Sequence, residues 1–133
     1  MIVDASAILA ILRDELDAAF FASALAERAV ARRMSAANDL EATIVIDSAK
    51  EPVAGRRFDD LVARAKIAVE AVTADHAEIA RGAYRDYGKG GGHPAQLNFG
   101  DRFAYALARS SGEPLLCKGD DFLHTDIAVQ QPV

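Results

Sequence analysis

Four acidic positions stand beside segments that belong in a core: Asp4, Glu41, Asp101 and the adjacent pair Asp120-Asp121. Asp4 ends the apolar start Met1-Ile2-Val3 and precedes Ala5-Ser6-Ala7-Ile8-Leu9. Glu41 sits between Leu40 and the run Ala42-Thr43-Ile44-Val45-Ile46, Asp101 opens Asp-Arg-Phe-Ala-Tyr-Ala-Leu-Ala, and Asp120-Asp121 follows Leu115-Leu116-Cys117-Lys118-Gly119. A carboxylate beside buried chain is costly unless it is paired, hydrated or bound to a cation. Carboxylates gathered within a few ångströms also raise one another's pKa, a penalty that a divalent cation reverses. All-oxygen ligation selects a hard ion, Mg²⁺ or Mn²⁺. Such ions polarise phosphoryl oxygens and lower the pKa of water, so phosphodiester hydrolysis is the natural chemistry. It requires no nucleophilic serine, cysteine or histidine.

Zinc is disfavoured. His76, His93 and His124 show no paired ligand spacing, and Cys117 is the chain's single cysteine. With Leu115 and Leu116 beside it, Cys117 reads as a small core residue rather than a nucleophile.

The elements that must position the acids follow from pattern and punctuation. Met1–Asp4 reads as a short buried strand. Ser6 is expected to cap a helix over 7–12, and a second helix spans 17–28. A strand over 29–34 is weakened by Arg32-Arg33, after which Ser35 caps a helix over 36–48. Pro52 and Gly55 punctuate the chain before a helix near 58–65. A strand over 69–72, a helix from Thr73 or Asp75 to Tyr87, a glycine-rich loop over 88–92, a helix over 101–110 and a strand over 115–117 complete the order. Alternating strands and helices with two-faced apolar strands indicate a parallel α/β sheet. In such sheets ligands bind beyond the carboxyl ends of the strands. Asp4 and Asp120-Asp121 fall at those ends, and Glu41 and Asp101 are expected in the first turns of helices starting at the same edge.

The bulk composition fits this reading. A chain of 133 residues, 51% apolar and 26% charged, suits one compact domain spanning 1–133. A single cysteine suits a reducing cytoplasm. No segment approaches the roughly 20 apolar residues of a membrane span, and Arg13-Asp14-Glu15 ends the first apolar run too early for a signal peptide. The net charge of −5 argues against a general nucleic-acid coat protein, though not against an enzyme that touches nucleic acid locally.

Ile2-Val3-Asp4-Ala5-Ser6-Ala7-Ile8-Leu9, Met34-Ser35-Ala36 followed by Glu41, and Leu97-Asn98-Phe99-Gly100-Asp101 with Phe103-Ala104-Tyr105-Ala106 resemble PIN-domain motifs. Leu115 to Phe122, with Thr125-Asp126-Ile127, adds the C-terminal signature, and the whole resembles a VapC-type toxin of a bacterial type II toxin–antitoxin pair. The resemblance spans nearly the whole chain in order. It implies a three-layer α/β fold with a parallel sheet of about five strands flanked by helices. It also implies a Mg²⁺- or Mn²⁺-dependent endoribonuclease that cleaves RNA with metal-activated water, leaving a 5′-phosphate and a 3′-hydroxyl. The implied partners are a second copy of the chain and a cognate VapB-like antitoxin, in the cytoplasm and with no membrane. Asp4, Glu41 and Asp101 match the family's first three acids. The fourth place lies between Asp121, the first choice, and Asp120. Ser6 matches a small polar position that helps organise the site, and Asn38 carries no assigned role.

Each acid alone has a plainer reading. Asp101 reads equally as a first-turn acid favoured by the helix dipole and capped with Asn98. Most Asp-Asp pairs are hydrated turns, and Asp59-Asp60, flanked by arginines, is a solvated surface pair. Lys118-Gly119 reads first as a turn and second as a phosphate contact. His93-Pro94 reads as structural or exposed. Arg32-Arg33, Arg56-Arg57, Arg64 and Lys66 read as solvated ends that could also guide RNA. Two other functions compete with cleavage. One is a catalytically silent PIN-like module acting through an antitoxin-like partner. The other is an aspartyl-phosphate phosphotransfer domain, disfavoured because Ser6 stands where a second acid is normally needed.

Overall fold

The computed structural model describes residues 1–132. Five parallel strands run in the order β3-β2-β1-β4-β5. They are β1 (Ile2–Val3), β2 (Arg32–Ser35), β3 (Ile67–Glu70), β4 (Leu115–Leu116) and β5 (Val129–Gln130). Six helices connect and cover them: α1 (Ala5–Leu12), α2 (Ala18–Ala26), α3 (Ala36–Ser48), α4 (Pro52–Arg64), α5 (Ala74–Tyr87) and α6 (Phe99–Ser111). A short 3₁₀ turn, Asp121–His124, follows β4.

The sheet is a middle layer because successive strand residues point to opposite faces. Val3 and Leu116 join Met34 and Ile67 against Ile8, Phe21, Ile46 and Phe58, the apolar sides of α1 to α4. Ile2 and Leu115 join Cys117 on the other face, against Ala83 of α5 and Ala104, Leu107 and Ala108 of α6. Each fully buried Ile, Leu or Phe contributes roughly 1.5–3 kcal/mol. Two-residue strands therefore hold their place by packing more than by their ladders.

The order of the strands sets the crevice. From β1 the chain steps to β2 and β3 on one side, then returns to β4 on the other. The topological switch point thus lies between β1 and β4, whose registers pair Ile2 with Leu115 and Val3 with Leu116. Asp4 follows directly, its amide donating to Leu116 O at 2.9 Å.

Two local expectations change, and two strands that the pattern gave weakly or not at all are present. Asp4, not Ser6, caps α1: its side chain accepts from Ser6 N, and the helix starts at Ala5. The fourth helix begins at Pro52 rather than near Phe58, because proline is at home in a first turn and Gly55 costs a helix only about 1 kcal/mol. The second strand carries its arginines after all, since they lie at its entry end, the sheet edge away from the acids. There Arg32 donates through Nε to Ala65 O, and Arg33 pairs with Glu113 and Glu70. The strand β5 was legible only through the family resemblance, because Ala128-Val129-Gln130 forms no apolar run. Among the described residues, no helix is long and apolar enough to cross a membrane.

Candidate active site

Each acid is delivered by a different element. Asp4 is the cap where β1 turns into α1, and its side chain is almost wholly buried at 4% exposure. Its Oδ2 accepts from Ser6 N at 3.0 Å and from Ser6 Oγ at 2.5 Å. Ser6 Oγ in turn accepts the amide of Lys118 at 2.9 Å, which ties the loop after β4 to the cap. Asp4 Oδ1 is buried with no hydrogen-bond partner. Burial raises the Asp4 pKa, and the Ser6 hydrogen bonds hold it partly down.

Glu41 lies one turn further into α3 than expected, with Ser35 capping that helix. Its carboxylate rests on Gly100: a Cβ built there would stand 1.9 Å from Glu41 Oε2 and 2.6 Å from its carboxyl carbon. Asn38 Nδ2 lies 3.4 Å from Glu41 Oε1 and donates to Gly100 O at 2.9 Å. Burial raises the Glu41 pKa first, and the charge of Asp4 raises it further.

Asp101 stands in the first turn of α6 in a capping box. Asn98 Oδ1 accepts the Asp101 amide and Asp101 Oδ2 accepts the Asn98 amide, each at 2.9 Å. The plain reading of this acid as a cap is therefore right, and so is its nearness to the others. Burial pushes its pKa up to about 7, with Asp4, Asp121 and Glu41 adding repulsion against the pull of the Asn98 amide. Asp121 opens the 3₁₀ turn, and of the Asp120-Asp121 pair it is the one whose charge reaches Asp101.

The four carboxylates thus share one field at the carboxyl edge of the sheet. Among the described residues, no three acidic, histidine or cysteine side chains are already drawn to metal-ligand spacing. The donor set is oxygen only, and the orphaned Asp4 Oδ1 is a buried acceptor in want of a positive partner. Both features fit a hard cation.

Other side chains sort themselves around the cleft. Cys117 is buried, and burial followed by the charges of Asp4, Asp101 and Asp121 pushes its thiol up to about 12. Lys118 is engaged by Glu15 and by Asp17, the latter at 2.9 Å, while Gly119 at φ +99° makes the turn. His93 accepts the Ala95 amide at 3.0 Å and packs edge-on to Tyr87, a structural role. Asp59 and Asp60 are exposed, as a solvated pair should be. An apolar groove of about 520 Å³, lined by Leu40, Ile44, Phe99 and Phe103, opens beside Glu41 and Gly100.

Asn38 and Gly100 went unassigned in the sequence. The spacing Asn38 to Glu41 is an i,i+3 pair on one helix face, a signal that was present. The Gly100 notch had none, because it depends on the approach of α3 to α6.

The family model described as PIN domain matches residues 1–128. The chain is 58% identical over 127 residues to Ribonuclease VapC28 of Mycobacterium tuberculosis, covering 96% of this chain and 95% of that one. It is 52% identical over 128 residues to Ribonuclease VapC of Mycolicibacterium smegmatis, covering 96% and 98%. In fold it resembles VapC20 of Mycobacterium tuberculosis, described as a sarcin-ricin loop cleaving toxin, at TM-score 0.75 and 19% identity over 98% of both chains. It also resembles a chain of a toxin–antitoxin complex from Klebsiella pneumoniae, at TM-score 0.72 and 16% identity over 99% and 97%.

Proposed function

The chain belongs to the PIN-domain family, and from that premise we propose that it is a VapC-type toxin, an endoribonuclease that hydrolyses RNA phosphodiester bonds at the Asp4, Glu41, Asp101 and Asp121 cleft. The named VapC ribonucleases, more than half identical over nearly the full chain, support the activity. The single observation that carries the site is the shared field of four carboxylates at the switch point, with Asp4 Oδ1 buried and unpartnered.

Asp4, Glu41, Asp101 and Asp121 would hold Mg²⁺ or Mn²⁺, with Asp120 the neighbour that could replace Asp121. The bound cation would neutralise charge on the phosphate and lower the pKa of attacking water. The chain's own residues do the rest. Ser6 occupies Asp4 Oδ2 and leaves Oδ1 free as a ligand. The capping box keeps Asp101 in one rotamer, and one of the clustered carboxylates accepts the proton of the attacking water. The 3′-oxygen leaves with a proton, so the products are a 5′-phosphate and a 3′-hydroxyl. The burial of Asp4 and the partial burial of Glu41 and Asp101 limit the bulk water that competes with them, which strengthens their interactions.

We read residues 1–133 as one PIN unit working in the cytoplasm, where its RNA is. A cognate VapB-like antitoxin restrains it, and a second copy of the chain completes a homodimer. The exposed groove of Leu40, Ile44 and Phe99 is apolar surface suited to a protein partner.

The test is cleavage-site mapping on total RNA with the antitoxin-free chain, in Mg²⁺ and in EDTA, beside Asp4→Asn. Discrete cuts that vanish with EDTA or Asp4→Asn are expected. Cuts that survive both treatments in a folded protein would remove the metal-site reading. No cuts at all would return the chain to a silent module acting through its partner.

A further inference from the structure

Asn38 is fully buried at 0% exposure, and its two polar ends can be told apart. Gly100 O and the Glu41 carboxylate can only accept hydrogen bonds, so the end facing both must be the amide nitrogen, Nδ2. Oδ1 then points away from them and has no partner. A polar side chain held at this cost needs a reason in what it holds. What it holds is the seam between two acids. Nδ2 grips the backbone of α6 one residue before Asp101 and reaches Glu41 on its own helix. The Glu41 carboxyl group fills the notch that Gly100 leaves open.

We propose that Asn38 is the positioning residue of the site, clamping Glu41 into the Gly100 notch and so fixing the spacing of Glu41 and Asp101 for a divalent cation. The inference rests on the metal-site reading above. The capping box fixes Asp101 within α6, and Ser6 fixes Asp4 at the end of β1. Glu41, on a long side chain with several rotatable bonds, is the acid that needs an external guide. Gly100 has a negative φ and lies within a helix, so its backbone does not require glycine. A side chain there would instead displace the Glu41 carboxylate from its place.

The experiment is Mn²⁺ titration of the full chain, read by electron paramagnetic resonance of the free ion, with folding followed by circular dichroism. Asn38→Ala should weaken Mn²⁺ binding by about tenfold or more, the usual cost of losing an outer partner of a metal ligand. In a Glu41→Ala background the same substitution should change affinity by less than about twofold, because the guide has nothing left to guide. Gly100→Ala gives an independent arm that keeps Asn38 in place and answers if Asn38→Ala does not fold. It should weaken binding when Glu41 is present and have no effect when Glu41 is alanine. Equal losses in both backgrounds would make Asn38 a purely structural tether and overturn the proposal, as would wild-type affinity in both folded single variants. Absence of Mn²⁺ binding by the wild type would instead remove the metal-site reading, and the clamp with it.

Discussion

Ser6 Oγ stands 2.5 Å from Asp4 Oδ2 while accepting the Lys118 amide at 2.9 Å. Because the amide can only donate, the Ser6 proton is committed to Asp4. One hydroxyl therefore orients the acid at the end of β1 and pins the loop that carries Asp121. Ser6→Ala should cost about 1–3 kcal/mol of stability, since it orphans the Lys118 amide as well as thinning the support of Asp4. Cleavage should fall by at least about tenfold, in line with other outer partners of metal ligands. Thermal unfolding and a single-turnover cleavage assay check both numbers; unchanged values would mean that water replaces the hydroxyl.

Asp4→Asn should divide stability from function. In EDTA the variant should melt at or above the wild-type temperature, because a buried charge has been removed. Saturating Mg²⁺ should raise the wild-type midpoint and leave the variant's unmoved. At a hundredfold excess over Kd that ligand contribution is about 2.7 kcal/mol. Equal Mg²⁺ responses in the two proteins would place the cation elsewhere.

The metal-free chain should lose stability as pH rises from about 4 to about 7. Asp101 has its folded pKa raised from 3.8 to about 7. Between those values the folded state holds more protons than the unfolded state, so raising the pH favours unfolding. The size should be on the order of 2 kcal/mol once the solvent that still reaches the group is discounted. Asp101→Asn should flatten this slope, and added Mg²⁺ should reverse it by stabilising the ionised form. Midpoints measured in EDTA across this range would reject the idea if they rose steadily with pH.

Cys117 should not react with iodoacetamide in the native state at pH 8. Its thiol is buried and held at about 12 by its surroundings, so the reactive thiolate is scarce. Mass spectrometry should show one adduct per chain only after denaturant is added. Fast native labelling would show that the core beneath the acids opens readily.

Much of this arrangement was readable from residue order alone. Asp4 betrayed itself by ending a buried strand, and strand–helix alternation put Asp4 and Asp121 at the same edge. Asp101 was less transparent, because a helix cap and a site acid look alike in sequence; it forms the capping box and also lies within reach of the charges of Asp4, Asp121 and Glu41. Asp121 was preferred to Asp120 from its place directly before Phe122, and the 3₁₀ turn that it opens was not visible in the pattern. The Gly100 notch and the Asn38 clamp were hidden for a similar reason: they arise from two helices meeting, and each helix is unremarkable alone. The Lys118 side chain, a candidate phosphate contact, was diverted by Glu15 and Asp17, more than a hundred residues earlier.

The switch point between β1 and β4 also sets when the cleft can exist. Its first acid comes from residue 4 and its last from residue 121, with the others carried by helices between them. During synthesis the early acids would emerge long before Asp121, and the sheet cannot place β4 beside β1 until Leu115 and Leu116 are out. A translation product that stops before β4 therefore lacks the cleft altogether. For a nuclease made on a ribosome, in a cell full of RNA, activity arrives only once the late strand has joined the first.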